Sequence, residues 1–94
     1  MVKHIVMWRL KEDRKEAGKK VKEILEGLKD KIEDIKAIEV GLDFNRSKSA
    51  YDIVLYSEFE DQGALARYQK HPEHLKAAEF VREVVKERAV VDYK

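Results

Sequence analysis

A tyrosine and two of the chain's three histidines crowd around its single proline in the run Tyr68-Gln69-Lys70-His71-Pro72-Glu73-His74. Imidazole accepts a proton near neutral pH, and a phenol can hydrogen-bond an oxygen on which charge develops. His74 as a base with Tyr68 as an oxyanion donor would therefore suit an enolisable carbonyl compound. Pro72 sets the local geometry. Its ring fixes φ and it lacks a backbone N–H, so it opens a helix at the first position with His71 as the cap. Counting on from there, His74, Ala77, Ala78, Val81, Val84 and Val85 fall on one helical face. His74 thus heads an apolar stripe in a first turn, where the positive end of the helix dipole favours the neutral, proton-accepting ring. An apolar wall with two polar tips describes a small-molecule site. The plainer alternative is a buried His–Tyr polar contact that orders the break between two helical segments.

The elements that must position these residues are legible from periodicity. Val2 to Leu10 alternates as a strand, with His4, Val6, Trp8 and Leu10 on one face and Ile5, Met7 and Arg9 on the other. Ala17, Val21, Ile24, Leu25, Leu28 and Ile32 form one stripe of a charged first helix. A second strand sets Ile38, Val40, Leu42 and Phe44 on one face, and the polar stretch Asn45 to Ser49 reads as a hairpin loop. Tyr51 to Phe59 is the third strand. Asp61 can cap a short helix with Ala64, Leu65 and Tyr68 inside; a helix from Pro72 toward Val85 follows, and Arg88 to Tyr93 is the last strand. The order βαββαβ specifies an α+β, ferredoxin-like fold with an antiparallel four-stranded sheet and helices on one face, the whole of residues 1–94 being one domain. Trp8 and Phe44 occupy alternating positions expected in the core. His4, on the helix side of its strand, either lines the pocket of His74 or satisfies a buried backbone group. Candidate lining residues are His4, Leu25, Leu55 and Val85. An open, polar-tipped pocket would mark an enzyme; one filled by Leu25, Leu65 and Val85 would mark a structural protein.

Helices on one side leave Ile5, Met7, Val54 and Tyr56 exposed on the other, among Arg9, Asp52 and Glu58. An apolar patch rimmed by charge implies a partner, and the economical one is a second copy joined sheet to sheet. Size points the same way: a 94-residue chain without cysteine has a thin core and no disulfide staple. Charged residues make up 41% of the chain, yet 20 Lys and Arg meet 19 Asp and Glu, which argues against nucleic acid as a partner. The scarcity of Asn, Gln and Cys beside dense Lys and Glu matches heat-adapted composition. The short apolar run Ile5-Val6-Met7-Trp8 is neither a signal-peptide core nor a membrane span, so a cytoplasmic protein without membrane contact is expected. His71 and His74 offer a metal two ligands and no third is indicated; Gly18, Gly27, Gly41 and Gly63 are too scattered for a phosphate loop. No metal or other cofactor is expected.

Several segments together resemble the stress-responsive A/B-barrel family: Lys3-His4-Ile5-Val6, Glu39-Val40-Gly41, Ala50-Tyr51-Asp52-Ile53-Val54-Leu55, Ser57-Glu58-Phe59-Glu60, the run from Tyr68 to Leu75, and Val90-Val91-Asp92-Tyr93. The resemblance spans essentially the whole chain, and Tyr…His-Pro-x-His is its most specific element. It implies a homodimer whose two sheets close into a dimeric α+β barrel, and a role among stress-associated or small-ligand-binding proteins. A protein similar in architecture, olivetolic acid cyclase, is a cofactor-independent polyketide cyclase; there the residue similar to His74 is the base and the one similar to Tyr68 binds the oxyanion. Its pocket aromatics are replaced here by Val21, Lys22, Leu25 and Val85, and a strand histidine by Ile53, so its substrate does not carry over. Two readings follow: a small-ligand-binding dimer accepting a small apolar carbonyl ligand, or a cofactor-independent cyclase or lyase. A cofactor-free monooxygenase, found on similar barrels, has no supporting motif in this chain.

Overall fold

The computed structural model describes residues 1–12 and 14–94. In chain order these form strand β1 (Val2–Leu10), helix α1 (Arg14–Glu26), a 3-10 turn (Gly27–Asp30), strands β2 (Ala37–Leu42) and β3 (Ile53–Phe59), helices α2 (Gln62–Lys70) and α3 (Pro72–Val84), and strand β4 (Val85–Tyr93). The strands make one four-stranded sheet in the order β2-β3-β1-β4. Every neighbouring pair is antiparallel. This is the ferredoxin-like α+β arrangement, in which two split βαβ units interleave.

Alternation along β1 does what its sequence requires. Val2, His4, Val6, Trp8 and Leu10 are buried toward the helices, whereas Ile5 is half-buried and Met7 is exposed on the opposite face. The core lies between sheet and helices, where Val21, Leu25 and Leu28 meet Val6, Ile53, Phe59, Tyr68 and Val81. The first helix is shorter than its apolar stripe suggests. At Gly27, a poor helix former, it tightens into the 3-10 turn, and the Leu28 carbonyl accepts from both Lys31 N–H and Ile32 N–H at 3.0 and 2.9 Å. Leu28 and Ile32 remain buried all the same.

Two strand boundaries differ from expectation. Phe44, expected in the core, is 94% exposed. The β2–β3 ladder ends at Leu42 opposite Ile53, with one further bond from Asp43 N–H to Asp52 O at 3.0 Å. The chain then turns through Arg46 at φ 60°, so Phe44 lies beyond the strand. Leu42 itself packs against Gly18 of α1, where a Cβ would lie 3.3 Å from Leu42 Cδ2, closer than is comfortable. The last strand starts at Val85 rather than at Arg88. Val85 takes extended dihedrals (φ −107°, ψ 155°) while its N–H still caps the Val81 carbonyl. It pairs with Leu10 across a register shift at Arg9/Leu10. Two consecutive β-branched residues, Val84 and Val85, favour this direct passage from helix to strand.

The sheet face away from the helices carries Ile5, Met7, Val54 and Tyr56, as expected, and β4 extends it with Val91, 54% exposed, and Tyr93. Among the described residues, no helix is long and apolar enough to cross a membrane.

Candidate functional site

Helix α2 is held at its start by Asp61, whose carboxylate accepts from Ala64 N–H at 2.8 Å. From that cap, Ala64, Leu65 and Tyr68 face the core. The break after Lys70 is built from the groups that Pro72 disturbs. His71 is extended, and its Nδ1 accepts from Glu73 N–H at 3.1 Å, so it is a helix cap. That bond diverts the N–H that would otherwise reach the Gln69 carbonyl in a continuous helix. The freed carbonyl accepts instead from His74 Nδ1 at 3.2 Å. A carbonyl can only accept, so Nδ1 carries the proton and Nε2 keeps the lone pair. The sequence around one proline thus sets both the position and the tautomer of His74.

Tyr68 and His74 meet ring against ring, with centroids 4.4 Å apart and planes at 51°. The expected polar contact between them does not form: the Tyr68 hydroxyl is buried and has no hydrogen-bond partner among the described residues. The physical reason is geometric: the two side chains meet ring against ring, so the Nε2 lone pair of His74, although free, is not presented to the hydroxyl. Phe59 also packs against Tyr68, with ring centroids 4.8 Å apart. Burial pushes the Tyr68 phenol up to about 12. Burial also holds His74 below its ordinary value, against the Gln69 hydrogen bond and with help from the nearby side chains of His4, Arg88 and Arg82.

His4 lies edge-on to Tyr68, with centroids 6.2 Å apart. Its ring is buried, and Nδ1 donates to the Asp92 carboxylate. The expected alternative, a side-chain bond to a buried backbone group, is therefore replaced by a carboxylate partner. The backbone of His4 does take part in packing, its carbonyl accepting from Ser57 Oγ at 3.2 Å.

These groups surround a cavity of about 260 Å³ between the sheet and α3. All six residues singled out from the sequence line it: His4, Leu25, Leu55, Tyr68, His74 and Val85. Leu25 and Val85 are walls rather than fillings, and Leu65 is buried elsewhere in the core. Trp8, expected as plain packing, also forms part of the wall. Sequence reasoning missed Asp92, Arg82 and Arg88. Asp92 faces His4 through the β1–β4 register. Arg82 had a signal, since His74, Ala78 and Arg82 recur every fourth residue on α3, and all three line the cavity. Among the described residues, no group of three or more His, Cys, Asp or Glu side chains could hold a metal ion.

A ferredoxin-like sheet with a polar-tipped cavity under its helices defines the class. The chain belongs to the stress responsive A/B barrel domain family, which matches residues 2–94. It is similar to a dimeric protein of unknown function and ferredoxin-like fold from Bacteroides fragilis, at 39% identity and a TM-score of 0.89, over 99% of this chain and 94% of that one. It is also similar to a protein from Arabidopsis thaliana, at 28% identity and a TM-score of 0.87, over 100% of this chain and 94% of the other. The fold recurs in a hydroxynitrile lyase from Passiflora edulis, at 16% identity and a TM-score of 0.85, over 98% of this chain and 90% of that one. No curated protein matches the chain.

Proposed function

We propose that residues 1–94 act as one domain of a homodimeric, cytoplasmic small-ligand-binding protein, whose cavity takes a compact apolar compound carrying a carbonyl oxygen. The observation that carries this reading is the cavity itself, apolar in most of its walls and lined by His74 and by Tyr68, whose buried hydroxyl has no partner among the described residues. At about 260 Å³ it exceeds the roughly 150 Å³ that accommodates benzene and falls just below the range for drug-sized ligands. An unpartnered buried hydroxyl costs about 1–3 kcal/mol, part of which a ligand oxygen seated against it would recover. The dimer is supported by the apolar outer face of the sheet and by the Bacteroides fragilis relative, described as dimeric.

A second reading, a cofactor-independent lyase or cyclase, is favoured by the unfilled pocket, the outcome that would mark an enzyme, and by one specific feature of it. His74 is a half-buried imidazole with its proton tied at Nδ1, which leaves Nε2 to accept another. It would remove the proton next to the ligand carbonyl, and the Tyr68 hydroxyl would donate to the resulting enolate oxygen. The Passiflora edulis lyase, at 16% identity, supports the fold and lends no chemistry.

Thermal-shift titration with compact carbonyl compounds, benzylacetone and acetylacetone among them, followed by product analysis, tests both readings. Binding without conversion supports the first reading. Conversion that disappears in a folded His74→Ala variant supports the second. No saturable stabilisation by any of these compounds contradicts both.

A further inference from the structure

The cavity has a charge pattern that the carbonyl-binding reading does not use. Its floor is formed by Tyr68 and His4, both buried, and His4 donates to the Asp92 carboxylate. At its mouth stand two arginines, Arg82 near the end of α3 and Arg88 on β4, both exposed. Neither is in an ion pair among the described residues, and no Asp or Glu lines the cavity. The carboxylates closest in sequence are otherwise placed. Glu87 is held by Arg9 at 2.7 Å, while Glu79 and Glu83 are exposed and stand outside the lining. Two cations without an ion-pair partner among the described residues, at the rim of an apolar pocket, are complementary to a molecule with an apolar body and one anionic end.

We propose that the cavity selects a small apolar carboxylate, its hydrocarbon part against Trp8, Leu25, Leu55 and Val81 and its carboxylate between Arg82 and Arg88. This deepens, and rests on, the reading of the cavity as a ligand site. The chemistry is that of guanidinium with carboxylate, whose planar fork matches the two oxygens. A lysine pair would supply charge without that fit. Because both arginines are exposed, solvent screens each contact. One exposed pair is worth about fivefold in affinity at most, and two acting on one carboxylate are expected to give about tenfold.

Isothermal titration of the wild type with hydrocinnamate and with hydrocinnamamide, which share a carbon skeleton, tests the idea. The acid is expected to bind about tenfold tighter than the amide, with an advantage that shrinks as salt rises. In the exposed double variant Arg82→Gln/Arg88→Gln the acid should lose its advantage and bind no tighter than the amide does to the same variant. Equal binding of acid and amide by the wild type overturns the anion preference while the cavity reading stands. An acid advantage that survives in the double variant overturns the role of these arginines. Binding of neither compound overturns the proposal together with the ligand-site reading on which it depends.

Discussion

At the scale of single residues, the unexpected feature is Tyr68, a core tyrosine whose hydroxyl has no partner among the described residues. Removing it should not weaken the fold. Tyr68→Phe is expected to leave stability unchanged or raise it by about 1 kcal/mol, because an unsatisfied buried group is deleted along with its desolvation cost. Chemical denaturation checks this, and a clear loss of stability would mean that the hydroxyl has a structural partner. His74 makes a pH-dependent contribution of defined sign. Its folded value lies below the ordinary 6.5, mainly through burial. Between the folded and unfolded values the unfolded chain therefore binds more protons, so stability rises with pH across that window and falls as pH drops through about 6.5. His74→Gln should remove this part of the pH dependence, which denaturation at a series of pH values would show as a flatter profile. The nearness of Tyr68 and His74 was legible in the sequence because both flank one proline within a single helical break. Asp92 was not: its meeting with His4 spans the chain and depends on the β1–β4 register, which local composition does not specify.

At the scale of elements, the site depends on how short segments begin and end. Helix α2 spans only Gln62–Lys70 and carries Tyr68 near its far end, so the Asp61 cap matters more than it would in a long helix. Asp61→Ala should cost about 1 kcal/mol and loosen the helix, measurable as a lower melting temperature and faster amide exchange from Ala64 onward. Unchanged exchange there would show that packing alone holds the helix. Periodicity identified every strand and the broken second helical region, since alternation and the 3.6-residue repeat are strong signals in this chain. It failed at boundaries. Phe44 continues the inward alternation of β2 although the ladder stops at Leu42. Val85 continues the apolar stripe of α3 although its backbone is already extended. In both places side-chain pattern outlasts backbone pairing, and only the three-dimensional partner decides where an element ends.

At the scale of the whole molecule, the sheet separates two apolar territories, a core with a cavity under the helices and an open face outside. The open face is the proposed dimer contact, and a stable one should bury roughly 800 Å² per partner. Val54→Asp, beside Glu58 and Asp52, should convert a dimer to a monomer in light scattering; a wild-type monomer at micromolar concentration would contradict the proposal. The cavity was less legible than the fold, because residue types name the side chains that could line a pocket and not the volume left between them. Leu25 and Val85 could equally have filled it. Heteronuclear NMR titration with benzylacetone tests most directly whether that volume is a ligand site. The predicted result is saturable shifts concentrated on His4, Trp8, Leu25, Tyr68 and His74. No saturable shift, or shifts centred on the outer sheet residues Ile5, Met7 and Val54, would contradict it.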